Sequence, residues 1–181
     1  MSSVGGKTQY LMDWIVRAKP RSQVLDCGCG DGTHAMYLAR NGMVVSALDL
    51  ILRPRHLSDE IAYFQSDMLN WCPSEKFDVV TLLGVLHYGG TGERWRAMLS
   101  RCFGWLKTDG ILALTWITDR IKTAHAPSGW DFPSVTDVHE FMRCASFAPI
   151  HQEIIIREHA HSNLPPHSHE IAYELWGRLQ E

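Results

Sequence analysis

No apolar run in this 181-residue sequence approaches the ~18 residues that a membrane-crossing helix requires, so no membrane span is expected. Positive charge is also in short supply. Lys and Arg number 17 against 20 Asp and Glu, a net charge of −3, and no global basic field advertises a nucleic acid or an anionic membrane as partner. Cysteines are few and scattered, at 27, 29, 72, 102 and 144, with no CxxC pair, which argues against a disulfide framework. Met1–Thr8 has neither the charged start nor the apolar core of a secretory leader, so the expectation is a cytoplasmic protein. Repeats, low-complexity tracts and linkers are missing too. Residues 1–181 therefore read as one domain, with a helical segment at 1–22 and a hairpin at 150–177. A hydrophobic content of 45% is ordinary for a globular chain and leaves function to local motifs.

What is there alternates. Thr8–Ala18 places Tyr10, Leu11, Trp14, Ile15 and Ala18 on one helical face, and Pro20 ends it. Gln23–Asp26 is a short strand running into a glycine loop. Thr33 is the expected N-cap of the next helix, stopped by Asn41-Gly42. Met43–Leu48 is a nearly continuous apolar run, as suits a strand covered on both faces, and Phe77–Leu83 reads as another strand buried on both faces. Ala62–Gln65 and Ile111–Trp116 read as further strands. Thr91–Leu106 is an amphipathic helix with Trp95, Met98, Leu99, Cys102 and Leu106 inward. Asp109-Gly110 is a turn, and Ser134 caps a helix running to about Cys144. Alternation of this kind predicts an α/β, doubly wound, mostly parallel sheet. Ile150–Arg157 and Glu170–Trp176 have no helix between them, so they must form an antiparallel hairpin.

The loop Asp26-Cys27-Gly28-Cys29-Gly30-Asp31-Gly32 ends a strand and opens a helix, where glycines admit a ligand close to the main chain and the helix start offers unpaired N–H groups. Its spacing is not the GxGxxG that grips a pyrophosphate. An acid precedes the first glycine, which would repel a pyrophosphate but suits a ligand bearing an ammonium and a sulfonium. Asp49, at the end of the second strand, can accept ribose hydroxyls. Asp67, after the third, can accept an adenine amino group. One such acid would merely cap a turn; three at consecutive strand ends beside three glycines make a ligand cradle.

These residues resemble the class I S-adenosylmethionine-dependent methyltransferases. VLDCGCGDGTHAMYLARNG is similar to their first motif, VVSALDL to the second and YFQSDML to the third, while FDVVTLLGVLHY and LKTDGILALTW resemble the regions of their fourth and fifth strands. The resemblance spans roughly residues 8–176 and implies a Rossmann-like, seven-stranded sheet and S-adenosylmethionine as cofactor. It also implies that Asp26 orients the methionine part, Asp49 holds the ribose, Asp67 contacts the adenine, and Leu50 and Met68 pack beside the base. The glycines Gly28, Gly30 and Gly32 complete the cradle. The chain departs from the pattern between Asp49 and Ala62 and between Asp67 and Phe77, where no sizeable helix fits. A looser similarity, to the small tellurite-resistance type methyltransferases, lies in the minimal core and the polar, histidine-bearing C-terminal hairpin.

Methyl transfer needs alignment and dryness more than it needs protein chemistry, and a base only where the acceptor must lose a proton. His87, just after the fourth strand, is the candidate general base, with Tyr88 beside it on the acceptor side. Tyr10 is a candidate lid over the methionine end. Trp116, Trp130 and Phe132 flank the loop after the fifth strand and are candidate walls of an apolar acceptor pocket. His159, His161, His167 and His169 form the least ordinary pattern. With 161 opposite 167 and 159 opposite 169, all four imidazoles share one hairpin face near the glycine loop. Four imidazoles suit zinc, copper or nickel, but the chemistry requires no metal; they are candidate substrate-binding residues, with at least one facing the substrate, and a solvated polar turn is the alternative. His34, His56, His125, His139 and His151 read as surface or helix positions. The expected activity is methyl transfer to a small-molecule acceptor, by a monomer or homodimer. An NAD-dependent oxidoreductase and a non-catalytic cofactor-binding partner protein are the alternatives.

Overall fold

Strands β1 (Gln23–Cys27) and β4 (Phe77–Leu83), whose side chains are mostly buried, lie in the middle of a seven-stranded sheet, where both faces are covered. The computed structural model describes residues 6–89, 92–120, 132–159 and 167–179. Elements follow in the order α1 (Gly6–Ala18), β1 (Gln23–Cys27), α2 (Thr33–Arg40), β2 (Val44–Asp49), β3 (Ala62–Gln65) and β4 (Phe77–Leu83). A 3-10 turn (Leu86–Gly89), α3 (Gly92–Trp105), β5 (Leu106–Ile117), α4 (Val135–Cys144), β6 (Phe147–His159) and β7 (His167–Arg178) complete the chain. The sheet order is β3-β2-β1-β4-β5-β7-β6. Strands β1 to β5 pair in parallel, and β7 runs antiparallel to both β5 and β6. The expected α/β, Rossmann-like sheet with a reversed strand is what the chain forms. Strand order reverses between β1 and β4, which opens a crevice at their carboxyl ends.

Two apolar layers sandwich the sheet. On one face Leu11, Met12 and Ile15 of α1 and Leu38 of α2 pack with Val79, Ala113 and Leu175. On the other, Trp95, Leu99 and Cys102 of α3 and Val138 and Met142 of α4 pack with Leu82, Leu112, Trp116 and Trp176. A helix as short as α2, with 8 residues, would not persist alone. Burial of Leu38, worth about 1.5–3 kcal/mol, helps to hold it. No helix follows β2 or β3, so the α3 face is thin there: Val44 is exposed, and Phe64 is covered by Trp71 at 5.0 Å between ring centroids.

Several boundaries differ from expectation for local reasons. Gly32, not Thr33, is the N-cap of α2, with φ 80°; Thr33 is the first helical residue and its N–H donates to Asp31 Oδ1 at 3.0 Å. The Asp109-Gly110 turn lies inside β5, as an irregularity between the Phe77–Leu106 and Val79–Ile111 pairs. Ser134 does cap α4: its Oγ accepts the Asp137 N–H at 3.0 Å and donates to Asp137 Oδ2 at 2.7 Å.

The hairpin register is the larger correction. His159 stands opposite His167, and Arg157 opposite His169, two residues away from the expected ladder. A two-residue slip keeps every side chain on its own face, so alternation could not detect it. Packing of the other face chose between the registers. There Glu174 is fully buried, with its Oε2 accepting the Trp176 indole N–H at 2.7 Å and its Oε1 accepting from Gln152 Nε2 at 3.3 Å. His139 Nε2 of α4 lies 2.6 Å from the same Oε1, so His139, a helix position, also ties α4 to the hairpin. A buried carboxylate persists only when satisfied in this way.

Candidate cofactor and acceptor site

The glycine loop leaves β1 and folds against two neighbouring strand ends. The Leu48 carbonyl at the end of β2 accepts the N–H groups of Gly28 at 2.7 Å and Cys29 at 3.3 Å. Gly28 has φ 68°, and a Cβ there would stand 2.5 Å from Val85 Cγ2, so no side chain fits. That contact also seats the turn after β4 beside the loop. Gly30 has φ 53° and a Cβ would meet nothing within 4 Å, so the loop is open on that side. Its N–H donates to Asp49 Oδ2 at 2.8 Å. Gly32 closes the loop at the α2 N-cap.

The three acids differ in what they already hold. Asp26 is almost fully buried; its Oδ1 accepts the Thr81 hydroxyl at 2.6 Å, and burial raises its pKa above the ordinary carboxylate value. Among the described residues no donor reaches Asp26 Oδ2. A buried, half-satisfied carboxylate beside an open glycine loop fits a cationic or amine-bearing ligand and disfavours a pyrophosphate. Asp49 clamps the loop and its own turn, with Oδ1 accepting the Ile51 N–H at 3.2 Å. Asp67 caps the turn after β3 through the Leu69 N–H at 2.9 Å and pairs with Arg94 Nη2 of α3 at 3.2 Å. Neither Arg94 nor Thr81 was legible as a site residue, because each reaches its acid across the fold. Met68 is buried in the α3-side core, and Leu50 is 64% exposed beside Asp49. The loop cysteines offer no thiolate: burial, reinforced by Asp26 and Asp49, pushes the Cys29 pKa up to about 12.

The turn after β4 carries the second half of the site. His87 is buried, its ring 4.5 Å from that of the exposed Tyr88 and 6.4 Å from the near-parallel ring of Phe132. Burial, with the neighbouring His169, lowers the His87 pKa to about 4, so the ring is a neutral imidazole at pH 7. His169 of β7 is itself buried. Next to it Glu170 is buried and accepts the Thr118 hydroxyl at 2.8 Å, while Arg120 lies 3.5 Å from its other oxygen. The signal for Glu170 and Glu174 was available: two carboxylates fall on the strand face that also carries Ala172 and Trp176.

Two expected site residues lie elsewhere. Tyr10 packs on His151 of β6, 5.0 Å between ring centroids and four strands from β1, so it does not close over the loop. The α1 face is rotated to bury Met12 in its stead. Trp116 is fully buried, and its indole N–H donates to the Pro133 carbonyl at 3.0 Å, which makes it a strut for the 132–134 segment rather than a pocket wall. His159 and His167 hold paired ladder positions beyond Arg157 and His169. His161, His125 and Trp130 lie outside the described residues. Among the described residues no helix is long and apolar enough to cross a membrane.

Known proteins share part of this sequence and the fold. Residues 24–110 match the family described as "Methyltransferase domain". The ubiquinone biosynthesis O-methyltransferase of Haemophilus ducreyi is 31% identical over 114 residues, covering 55% of this chain and 47% of that protein. The chain spans about half the length of the curated relatives it matches. In fold it is similar to the 1,6-didemethyltoxoflavin-N1-methyltransferase of Burkholderia thailandensis, solved with S-adenosylhomocysteine, with a TM-score of 0.75 at 18% identity over 97% of this chain and 79% of that one. TehB from Haemophilus influenzae gives a TM-score of 0.74 at 15% identity over 94% of this chain and 62% of that one. In fold the chain is thus similar to methyltransferases, and its match to the methyltransferase domain family covers residues 24–110.

Proposed function

We propose that this chain is an enzyme that methylates a small-molecule acceptor, with S-adenosylmethionine as methyl donor. The glycine loop carries the reading: it is open at Gly30, clamped by Asp49 and backed by the buried Oδ2 of Asp26. When bound, the cofactor supplies a methyl group activated by its sulfonium for in-line displacement. Asp26 answers the ammonium end of the methionine. Each Asp49 oxygen accepts one backbone N–H and keeps a second lone pair for a ribose hydroxyl. Asp67 holds the turn that presents Met68 and keeps lone pairs for the adenine amino group, while the exposed Leu50 gains apolar cover from the base.

The acceptor enters beside His87, Tyr88 and His169. A neutral His87 can take the acceptor's proton without placing a second positive charge near a sulfonium. Tyr88 forms the exposed lip, and His169, with His159 and His167 farther along the hairpin, contributes polar contacts. The modest negative charge and compact chain favour a small acceptor over a nucleic acid.

Thermal-shift measurements with S-adenosylmethionine, S-adenosylhomocysteine and NAD test the cofactor, because a ligand that binds the native state raises its apparent stability. Stabilisation by S-adenosylhomocysteine is expected; stabilisation by NAD alone would return the oxidoreductase reading. Transfer of label from methyl-labelled cofactor into a metabolite extract then separates an enzyme from a silent binder.

A further inference from the structure

The two edges of the sheet are built differently. Edge strand β3 has 4 residues, whereas edge strand β6 has 13. Among the described residues nothing pairs with the outer side of β6. A long edge presents unpaired N–H and C=O groups, and proteins usually blunt it with charge, proline or a bulge. Here Pro149 and the register shift beside it lie at the start of the strand only. Beyond them the edge carries Ile154 and Ile156, 43% and 67% exposed, on the face away from α1, and Ile155, partly buried against the α1-side core, on the other.

We infer that β6 is a dimer interface that pairs antiparallel with β6 of a second copy about a two-fold axis through Ile155, joining the two sheets into one. The strand's own sequence selects this occupant. A two-fold antiparallel pair that keeps each sheet face continuous must be centred on a residue. Centring on Ile155 sets Ile154 opposite Ile156 and Glu153 opposite Arg157, each pair occurring twice. Centring on Ile154 or Ile156 sets one of Glu153 and Arg157 against Ile155 and the other against a histidine instead. One register alone therefore buries the exposed isoleucines and pairs opposite charges across the strands, the arrangement that stabilises neighbouring strands. Glu153 already meets Lys7 of α1, and Arg157 makes no ion pair among the described residues, so the pairing answers the charge that the single chain leaves over.

Sedimentation velocity of the full chain at micromolar concentrations is the test. A dimer is expected. Arg157→Glu and Glu153→Arg each place like charges opposite one another twice and should weaken association on the order of tenfold to a hundredfold. Mixed in equal amounts, these two variants regain both opposite-charge pairs and should associate again. Ile156→Lys, at an exposed position that a single chain tolerates, should also yield monomers. Far-UV circular dichroism checks that each variant is folded. A monomeric parent chain, an Arg157→Glu variant that dimerises like the parent, or a mixture that stays monomeric would overturn the interface, and none of these outcomes bears on cofactor binding.

Discussion

On one side of the crevice, the groups proposed to face the cofactor come from a single stretch of chain, Asp26 to Met68, and each sits on or just after a strand end. The proposed acceptor side is gathered from His87, Phe132 and His169, three segments distant in sequence. The cradle is acidic and built on backbone: Asp49 and the Leu48 carbonyl hold the loop N–H groups, and buried Asp26 faces inward. The acceptor side is neutral and built on rings, with His87 uncharged at pH 7. A cationic cofactor is thus met by negative charge on one side, while the other offers a lone pair without a charge. The difference separates binding from chemistry, and substitutions on the two sides should fail differently.

The largest expected effect is on the cradle. Gly28→Val forces a β-branched residue to φ 68° and into Val85, at a cost of about 3–5 kcal/mol. Urea unfolding should show that loss, and S-adenosylhomocysteine should no longer stabilise the protein. A variant as stable as the parent would mean that the loop and the β4 turn are not in contact.

On the acceptor side, His87 binds no proton in the folded state until about pH 4, whereas the unfolded side chain binds one near its ordinary value of 6.5. Its folded pKa is lowered, so stability is full above 6.5 and falls as pH drops toward 4, by about 3 kcal/mol in all. Chemical denaturation across that window should show a flatter acid limb in His87→Gln. The same variant should lower kcat on the order of a hundredfold and leave S-adenosylhomocysteine affinity nearly unchanged. Equal losses in affinity and kcat would move His87 into the cradle and erase the contrast.

Asp49→Ala should do the opposite. It removes the acceptor for Gly30 and Ile51, and calorimetry should find S-adenosylhomocysteine bound roughly 10- to 100-fold more weakly, with kcat at saturation much less affected. The smallest effect is expected from Thr81→Val. It removes the hydroxyl donor to Asp26 Oδ1 and should cost about 1 kcal/mol in unfolding free energy.

Local features were legible wherever one element decides them. The inward residues Trp95, Met98, Leu99 and Cys102 of α3 follow from helical spacing, and the Ser134 cap from its chemistry. The missing helices after β2 and β3 were legible as segments too short to hold them. Positions settled between elements were not. Tyr10 and Met12 flank Leu11 in α1, and only the packing of α1 on the sheet chose which to bury. Trp116 looked like a pocket wall until Pro133 offered its carbonyl. His139 read as a surface or helix position; that its ring reaches Glu174 of β7 depends on how α4 packs on the hairpin.

The sequence by itself determined the parallel sheet with its reversed strand and the glycine loop with its strand-end acids, because apolar runs, glycine spacing and those acids act within a few residues of chain. Tertiary structure alone decided the hairpin register, the meeting of His87 with His169 and the neutrality of that imidazole. Each of these depends on which distant surfaces exclude water together, and a two-residue slip or a rotated helix leaves the local pattern unchanged.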